Sequence, residues 1–481
     1  MTRAPCFHPP GNLTHVPRPL SNDTFPLVVV SNRLPVAFRE DDAGHRVAML
    51  SPGGLVAALA PALAGHGVAW VGWDGTNDGG EEALLVEDFT LYPVALSQKM
   101  VEDHYEGFSN STVWPLFHDV GVLPEYSSPW WEGHQVVNEM FATRVASLTA
   151  PGATVWIHDY QLMLLPALIR SLRPDVTIGY FHHIPFPDGA GLSPLPQHRE
   201  VLEGLAGADV LGFQRDSDAA NFLDALALEG IDALGGNLPQ VRVYPISVDA
   251  QAVSTAAAAP EVQRRATELR KEWGSPHTVF LGVDRLDYTK GIPERLEAYE
   301  MLLDDGLVRA EDSVFVQVGS PSRENVDAYQ ALSESIDSVV SRINHAHSVT
   351  AREAIVYVAE NLSREEMLAL FVAADVMVVT SLADGMNLVA KEFVACRQDD
   401  SGVLVLSKNT GAADHMAQAL LVDPYDIDDI AGAMKRAMVM PPSEVAHRMG
   451  MLRADVTKHD VDSWATAILA DLALIPPHSP R

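Results

Sequence analysis

Cysteine is nearly absent. The 481 residues hold two, Cys6 and Cys396, far apart in the chain. A disulfide framework is thereby excluded, and a reducing, cytoplasmic setting is the expected compartment. Positive charge is also scarce: 33 Lys and Arg stand against 64 Asp and Glu, a formal net charge of −31. That balance argues against nucleic acid and against an anionic membrane surface as partners. Any phosphate ligand must be held by local cations in a cleft, against a repulsive overall field. Long apolar runs are missing too. The most apolar stretch, Leu55 to Trp73, is interrupted by Pro61 and His66 and reads as a core helix followed by a strand. No charged-then-apolar leader opens the chain, so no export is expected. The patterns GxxxxGK[ST], GxSxG, HExxH and CxxC do not occur, and no GxGxxG follows a strand. These absences speak against Walker-type ATP hydrolysis, a serine-hydrolase elbow, a zinc site of those patterns and a nicotinamide cofactor.

What is present is a soluble globular composition, 47% apolar and 20% charged. The length suggests two or three domains rather than one core. Residues 1–23 carry Pro5, Pro9, Pro10, Pro17 and Pro19 with little apolar content, and read as a disordered or loosely packed extension. The first buried strand starts at Phe25, and strands then alternate with helical patterns. Ala153 to His158, Val176 to Phe181, Asp209 to Phe213 and Gln240 to Pro245 read as strands, and Leu162 to Leu172 as a helix. An Ala- and Glu-rich helical stretch, Asp249 to Trp273, breaks the rhythm. It restarts at Thr278, with further strands at Val314 to Val318, Ala354 to Val358, Val376 to Val379 and Gly402 to Leu406. This βαβ succession predicts an α/β protein with two Rossmann-like, doubly wound parallel sheets facing across a cleft. The boundary is placed near 246–250. That gives domains over 24–248 and 249–456, and a last helical segment, 457–481, crossing back to the first.

The most telling stretch is VFLGVDRLDYTKGIP, Val279 to Pro293. A buried strand ends in a polar loop, and Pro293 suits the first turn of a following helix. Open α/β sheets bind ligands at the carboxyl ends of their strands. Arg285 and Lys290 are then two cations beside a helix start, a site for a phosphate or diphosphate. The same residues also suit a plain surface loop with two solvated cations. Thr380 to Phe393 repeats the plan, with a strand end, a turn at Gly385 and a helix start near Met386 or Asn387. Asp384 stands at its mouth and Glu392 further along the helix. Carboxylates there fit ribose or glucose hydroxyls; a helix-capping aspartate is the plainer alternative.

In the first half, Gly53 and Gly54 of SPGGL would let backbone N–H groups approach an anion, or simply open a helix. Arg33 follows the first strand, and either faces the cleft or is solvated. Tyr105 to Pro115 reads as irregular and rich in polar aromatics, which suit sugar rings as well as ordinary packing. Asp159 and the pair His182-His183 follow two further strands. Adjacent side chains on an extended segment point to opposite faces, so at most one histidine lines the cleft. Hydrogen bonding to sugar hydroxyls is favoured over metal binding.

Taken in order, these blocks resemble the trehalose-6-phosphate synthase family, retaining glycosyltransferases of the GT-B fold. The resemblance covers about residues 25–475. It rests on VVVSNRLPV, SPGGLV, WVGWDG, HYEGFSNSTVWPLFH, VWIHDYQL, GYFHHIPFP, VDRLDYTKGIPERL, GSPSRENVDAYQ, SRIN and DGMNLVAKEFVA. It implies transfer of glucose from a nucleotide-glucose to glucose 6-phosphate, giving α,α-trehalose 6-phosphate. The partners implied are small-molecule substrates, with no cofactor and no metal; a homo-oligomer stays open. On the donor side, Arg285 and Lys290 would hold the diphosphate. Gly53, Gly54, Gly385, Met386, Asn387, Leu388 and Val389 would line the donor, several through backbone N–H groups. Glu392 would bind the ribose, Asp384 and His183 the glucose, and Asn361 and Leu362 would lie by the base. On the acceptor side, Arg33 and Arg323 would clamp the 6-phosphate, and Tyr105 and Trp114 would shape the pocket. Asp159 would hold acceptor hydroxyls near the anomeric carbon, with Trp73 a further candidate. The catalytic set implied is Arg285, Lys290, Asp159, His183 and Asp384.

Some positions depart from the family pattern. Ala383 stands where relatives often have Arg, and Leu195 to His198 lacks an aromatic or Arg-rich turn. Asn361 is unusual beside Leu362. A carbonyl acceptor there suits the N–H donors of guanine, so GDP-glucose is expected over UDP-glucose. Two rivals are a pseudo-sugar coupling enzyme on the same scaffold and a catalytically silent sugar-phosphate sensor. Arg33, Asp159, His183 and Arg323 favour ordinary sugar substrates, and Arg285, Lys290, Asp384 and Glu392 favour activity. No phosphatase-type aspartate motif follows residue 475, so release of free trehalose would need a separate enzyme.

Overall fold

A computed structural model describes residues 24–476 and 478, apart from 41–45, 51–62, 64–66, 78, 81, 87–88, 232–237, 324–325 and 350–351. The expected extension over 1–23 lies outside the described residues. Among the described residues, ten strands belong to the first half of the chain: β1 (Phe25–Arg33), β2 (Val36–Glu40), β3 (Arg46–Leu50), β4 (Val68–Trp73), β5 (Leu84–Val86), β6 (Phe89–Pro93), β7 (Thr149–His158), β8 (Thr177–Phe181), β9 (Val210–Phe213) and β10 (Gln240–Val243). Six follow: β11 (Thr278–Arg285), β12 (Ser313–Ser320), β13 (Ile355–Val358), β14 (Val376–Val379), β15 (Val403–Ser407) and β16 (Leu420–Val422). Most central strands are near-continuous apolar runs because helices cover both faces of a parallel sheet.

The first sheet has the order β10-β9-β8-β7-β1-β4-β6-β5, parallel except for the β5–β6 pair. The second runs β13-β12-β11-β14-β15-β16, parallel throughout. Strands β2 and β3 form a separate antiparallel pair. Chain order reverses between β7 and β1 in the first sheet, and between β11 and β14 in the second. Such reversal points open crevices at the carboxyl ends of strands, where ligands bind.

Helices Ala250–Ala257 and Pro260–Glu272 lie between the two sheets in sequence. The second is pinned to the later half by Arg265–Glu366 and Arg270–Asp375 ion pairs at 2.8 and 2.9 Å. The last helix, Val461–Ala473, returns to the first sheet. Trp464 Nε1 there donates to the Tyr244 carbonyl at 3.1 Å.

Two sequence expectations need correction. Tyr105 to Pro115 is not irregular. It belongs to a π-helix, Val101–Val113, that runs into an α-helix, Trp114–His118. Side chains support the wide turn by donating to carbonyls five residues back: Ser109 Oγ to His104, Asn110 Nδ2 to Tyr105 and Ser111 Oγ to Glu106, at 2.6–2.8 Å. Nor is Leu162 to Leu172 one helix. A 3₁₀ turn, Tyr160–Leu162, precedes an α-helix, Leu165–Leu172, whose first turn holds Pro166. Strands β2, β3, β5, β6 and β16 were not read from the sequence; β5 and β16 have three residues each.

Candidate active site

The loop after β11 is built from beneath. Arg295, fully buried in helix Ile292–Asp304, donates to the carbonyls of Val378 and Lys290 at 2.9 Å and pairs with Asp284. Gly291 caps that helix with φ +60°, and a Cβ there would collide with the Thr380 carbonyl. Only glycine meets both demands. Thr380 Oγ1 donates to Gly291 O at 2.7 Å, and Leu382 N to Thr289 O at 2.7 Å. The loops after β11 and β14 therefore form one unit at the reversal point.

In that unit, Lys290 Nζ meets Asp384 Oδ2 at 2.7 Å. Asn387 donates from Nδ2 to the same oxygen at 3.2 Å, while its Oδ1 caps Ala390 N at 2.9 Å. The capping residue of helix Leu388–Cys396 is thus Asn387, and Asp384 is free of that duty. Leu388 and Val389 open this helix, where backbone N–H groups lack intrahelical acceptors. Glu392 lies half-buried one turn on. Burial lifts its carboxyl to about 7, against the pull of Arg364. Arg285 is exposed at the mouth.

The facing wall holds Trp114, Tyr160 and Asn110 of the first half, and Arg323, which follows β12 in the second half, bridges to it. The Arg323 guanidinium stacks 3.8 Å over the Trp114 ring, and Arg285 lies 5.8 Å from the same ring. Arg323 also donates to Tyr160 OH at 3.1 Å, pairs with Asp287 at 3.3 Å and bonds Tyr329 OH. Tyr160 OH donates to Asn110 Oδ1 at 2.7 Å. His118 supports Trp114 from beneath, its Nδ1 2.8 Å from the Trp114 carbonyl. Burial drives His118 down to about 4. Among the described residues, Trp114 Nε1 and Arg323 Nε are buried donors with no protein acceptor.

Asp159 follows β7 half-buried, accepting from His183 N at 3.3 Å. Burial raises its carboxyl to about 6, although Arg285 and Arg323 draw it down. Asp287 shows the opposite balance. Burial would raise it, but Arg323, Arg285 and Lys290 hold it at about 2. His183 Nε2 lies 3.2 Å from His158 Nδ1. His182 is fully buried, so His183 alone of the pair reaches the cleft side. Gly385 brings the halves together: a Cβ there would strike the His183 carbonyl. Three non-glycine residues of this site have positive φ, namely Asp159 (76°), Arg323 (51°) and Asn387 (145°). Such strain collects at functional sites, held by its surroundings.

The structure therefore brings together Arg285, Lys290, Asp384, Gly385, Asn387, Asp159, His183, Trp114 and Arg323. Met386 is buried beneath the turn. Arg33 is exposed at the end of β1, 5.4 Å over Trp73, whose ring is 6.0 Å from that of Tyr105. Asn361 is exposed just after β13, with Leu362 packed on the core. Gly53 and Gly54 lie outside the described residues. His198, in the departing segment, is bound to Leu195 O and Glu229 at 2.7 and 3.0 Å. Sequence reasoning missed Asp287, His118, Tyr160, Tyr329 and Asn110. Each sits inside a quoted motif, next to or within four residues of an assigned one in most cases, and that proximity was the available signal.

Two Rossmann-like sheets facing across a cation-bearing cleft define a GT-B glycosyltransferase. A profile of glycosyltransferase family 20 matches residues 26–474. The chain is 45% identical over 462 residues to a trehalose-6-phosphate synthase of Mycobacterium sp. (strain JLS), covering 93% of this chain and 96% of that protein. The structure resembles an α,α-trehalose-phosphate synthase (UDP-forming) from Burkholderia vietnamiensis, with TM-score 0.86 and 34% identity over 95% of this chain and 100% of that one. It also resembles the Burkholderia xenovorans protein solved in complex with glucose-6-phosphate, with TM-score 0.85 and 32% identity over 93% and 99% of the two chains. The chain belongs to glycosyltransferase family 20, the family of the trehalose-6-phosphate synthases.

Proposed function

We propose that this glycosyltransferase makes α,α-trehalose 6-phosphate from a nucleotide-glucose and glucose 6-phosphate, with retention at the donor anomeric carbon. One observation carries the reading. The Arg285–Lys290 loop and the Asp384–Asn387 helix start form a single unit, and that unit faces Asp159 and Trp114 of the first half, with Arg323 reaching from Asp287 to Tyr160 and Trp114. The first wall suits a nucleoside diphosphate. The second suits a phosphorylated sugar: Trp114 Nε1 on it, and Arg323 Nε beside it, are buried donors with no protein acceptor among the described residues.

The chemistry follows from where charge develops. As the bond from the glucose anomeric carbon to the diphosphate breaks, the sugar gains positive character and the leaving group negative. Arg285, Lys290 and the N–H groups of Leu388 and Val389 are the groups placed to stabilise that leaving group. They take the part that a divalent cation plays elsewhere, so the reaction is read as metal-independent. The acceptor hydroxyl attacks on the face the diphosphate leaves. Its proton passes to the departing phosphate oxygen, so that one C–O bond forms, one breaks, and configuration is kept. Asp384 and His183 hold the transferred glucose, and Asp159 orients the attacking hydroxyl. Arg33 and Arg323 hold the acceptor phosphate, with Tyr105 beside them. Glu392 takes the ribose.

For the base, the exposed amide of Asn361 offers an acceptor that suits guanine, so GDP-glucose is preferred over UDP-glucose. The Burkholderia vietnamiensis neighbour is described as UDP-forming, which makes this a point of difference. The test is the product formed from glucose 6-phosphate with UDP-, GDP- and ADP-glucose. No disaccharide phosphate from any donor overturns the synthase reading. Equal or faster use of UDP-glucose overturns only the guanine preference.

A further inference from the structure

Arg33 owes its position to residues behind it. Ser31 Oγ donates to the Arg33 carbonyl at 2.7 Å and accepts from Trp70 Nε1 at 2.7 Å. Asn32, its other neighbour, ends a longer chain. His104 Nε2 lies 3.0 Å from Asn32 Oδ1, His104 Nδ1 lies 3.0 Å from His134 Nδ1, and Asn138 Nδ2 lies 3.4 Å from His134 Nε2.

The direction of this chain is determined. Asn138 Nδ2 also donates to the carbonyls of His134 and Gln161 at 3.0 and 3.2 Å, which fixes its amide orientation. Those two carbonyls take both Nδ2 protons, and an amide nitrogen offers no lone pair, so a proton on His134 Nε2 would face a donor at 3.4 Å; His134 therefore carries its proton on Nδ1. That proton points at His104 Nδ1, which must accept. His104 then carries its own proton on Nε2 and donates to Asn32 Oδ1. Other tautomers set two donors or two lone pairs face to face in a region closed to water. Both rings are fully buried, and burial drives His104 down to about 3 and His134 well below its ordinary value. The pair is neutral at any physiological pH.

We propose that His104 and His134 are positioning residues for the acceptor: a neutral, one-way hydrogen-bond chain that holds the turn bearing Arg33. The same chain fixes the backbone next to Tyr105, the pocket's aromatic wall. Neither imidazole touches substrate. The inference rests on reading Arg33 as a ligand of the acceptor phosphate.

The test compares His104→Leu, which can neither donate nor accept, with His104→Gln, which can do both. Calorimetry reads the affinity for glucose 6-phosphate, and the affinity for whichever of UDP or GDP the native protein binds. His104→Leu weakens glucose 6-phosphate about tenfold, the scale of one buried partner left unsatisfied, and leaves the nucleotide within about twofold. His104→Gln restores acceptor affinity to within about threefold. An equal loss for both ligands, or no rescue by Gln, overturns the positioning role. Loss with Arg33→Ala but not with His104→Leu overturns it as well. No loss even with Arg33→Ala overturns the acceptor reading beneath it. Nitrogen-15 imidazole spectra of the native protein give a check free of any variant. A proton on His134 Nε2 rather than Nδ1 overturns the chain.

Discussion

At the residue scale, the Lys290–Asp384 pair decides most. Removing a single donor aimed at developing negative charge costs about 10²–10³ in kcat. Lys290→Ala should therefore all but abolish turnover, and a circular-dichroism spectrum like the native one should show the fold intact. Native-like rates would remove Lys290 from the chemistry. Asp159 carries a pH prediction. Its carboxyl is raised to about 6, chiefly by burial. It is largely ionised at pH 7 and gains a proton as pH falls through 6, losing the acceptor capacity that the proposed role requires. An acid limb in kcat/KM for glucose 6-phosphate should then lie near pH 6. The substrate phosphate has its own second ionisation near 6. Asp159→Asn separates the two: the limb should become shallower while overall activity falls. An unchanged limb would assign it to the substrate alone.

At the scale of elements, the long repeating segments were legible and the unusual ones were not. Val279 to Val283 announces β11 by an unbroken apolar run, and Pro293 marks the helix start that the structure places at Ile292. Lys290 and Asp384 could each be picked from a strand end, but their ion pair could not, because 94 residues separate them. The π-helix was illegible for a physical reason. Its polar aromatics and serines break the 3.6-residue apolar period, and the i−5 side-chain bonds that replace it have no counterpart in ordinary helix patterns. Those bonds can be tested. Replacing Ser109 and Ser111 together by Ala removes two side-chain donors, at about 1 kcal/mol each. Thermal unfolding should register the loss, and KM for glucose 6-phosphate should rise because Tyr105 and Asn110 ride on the same turns. A fall in melting temperature with unchanged KM would confine the π-helix to a structural role.

At the scale of the whole molecule, a chain of net charge −31 sets Arg285, Lys290 and Arg323 where the two halves meet. Arg215 reaches across to Asp414 with two bonds at 2.8 and 2.9 Å, beside the turn that backs Asp384. Partly exposed pairs contribute about 0–1 kcal/mol and are screened by salt. Arg215→Ala should thus change KM for the donor by less than about fivefold, and should blunt the response of that KM to added salt. The same salt response in variant and native protein would exclude the pair as a clamp. The positive-φ residues have a consequence for how this enzyme can evolve. Ser275 and Asp400 share a φ of 55° but lie away from the cleft, Ser275 before β11 and Asp400 paired with Arg453. Glycine at Ser275 should raise the melting temperature, by relieving about 1 kcal/mol of backbone cost, with kcat untouched; at Asp400 the loss of the Arg453 pair offsets the same relief. Glycine at Asp159, Arg323 or Asn387 would relax the same kind of strain and forfeit turnover. Thermostability is therefore open to selection at the periphery and closed at the cleft, where each strained residue also carries a side chain bonded into the proposed site.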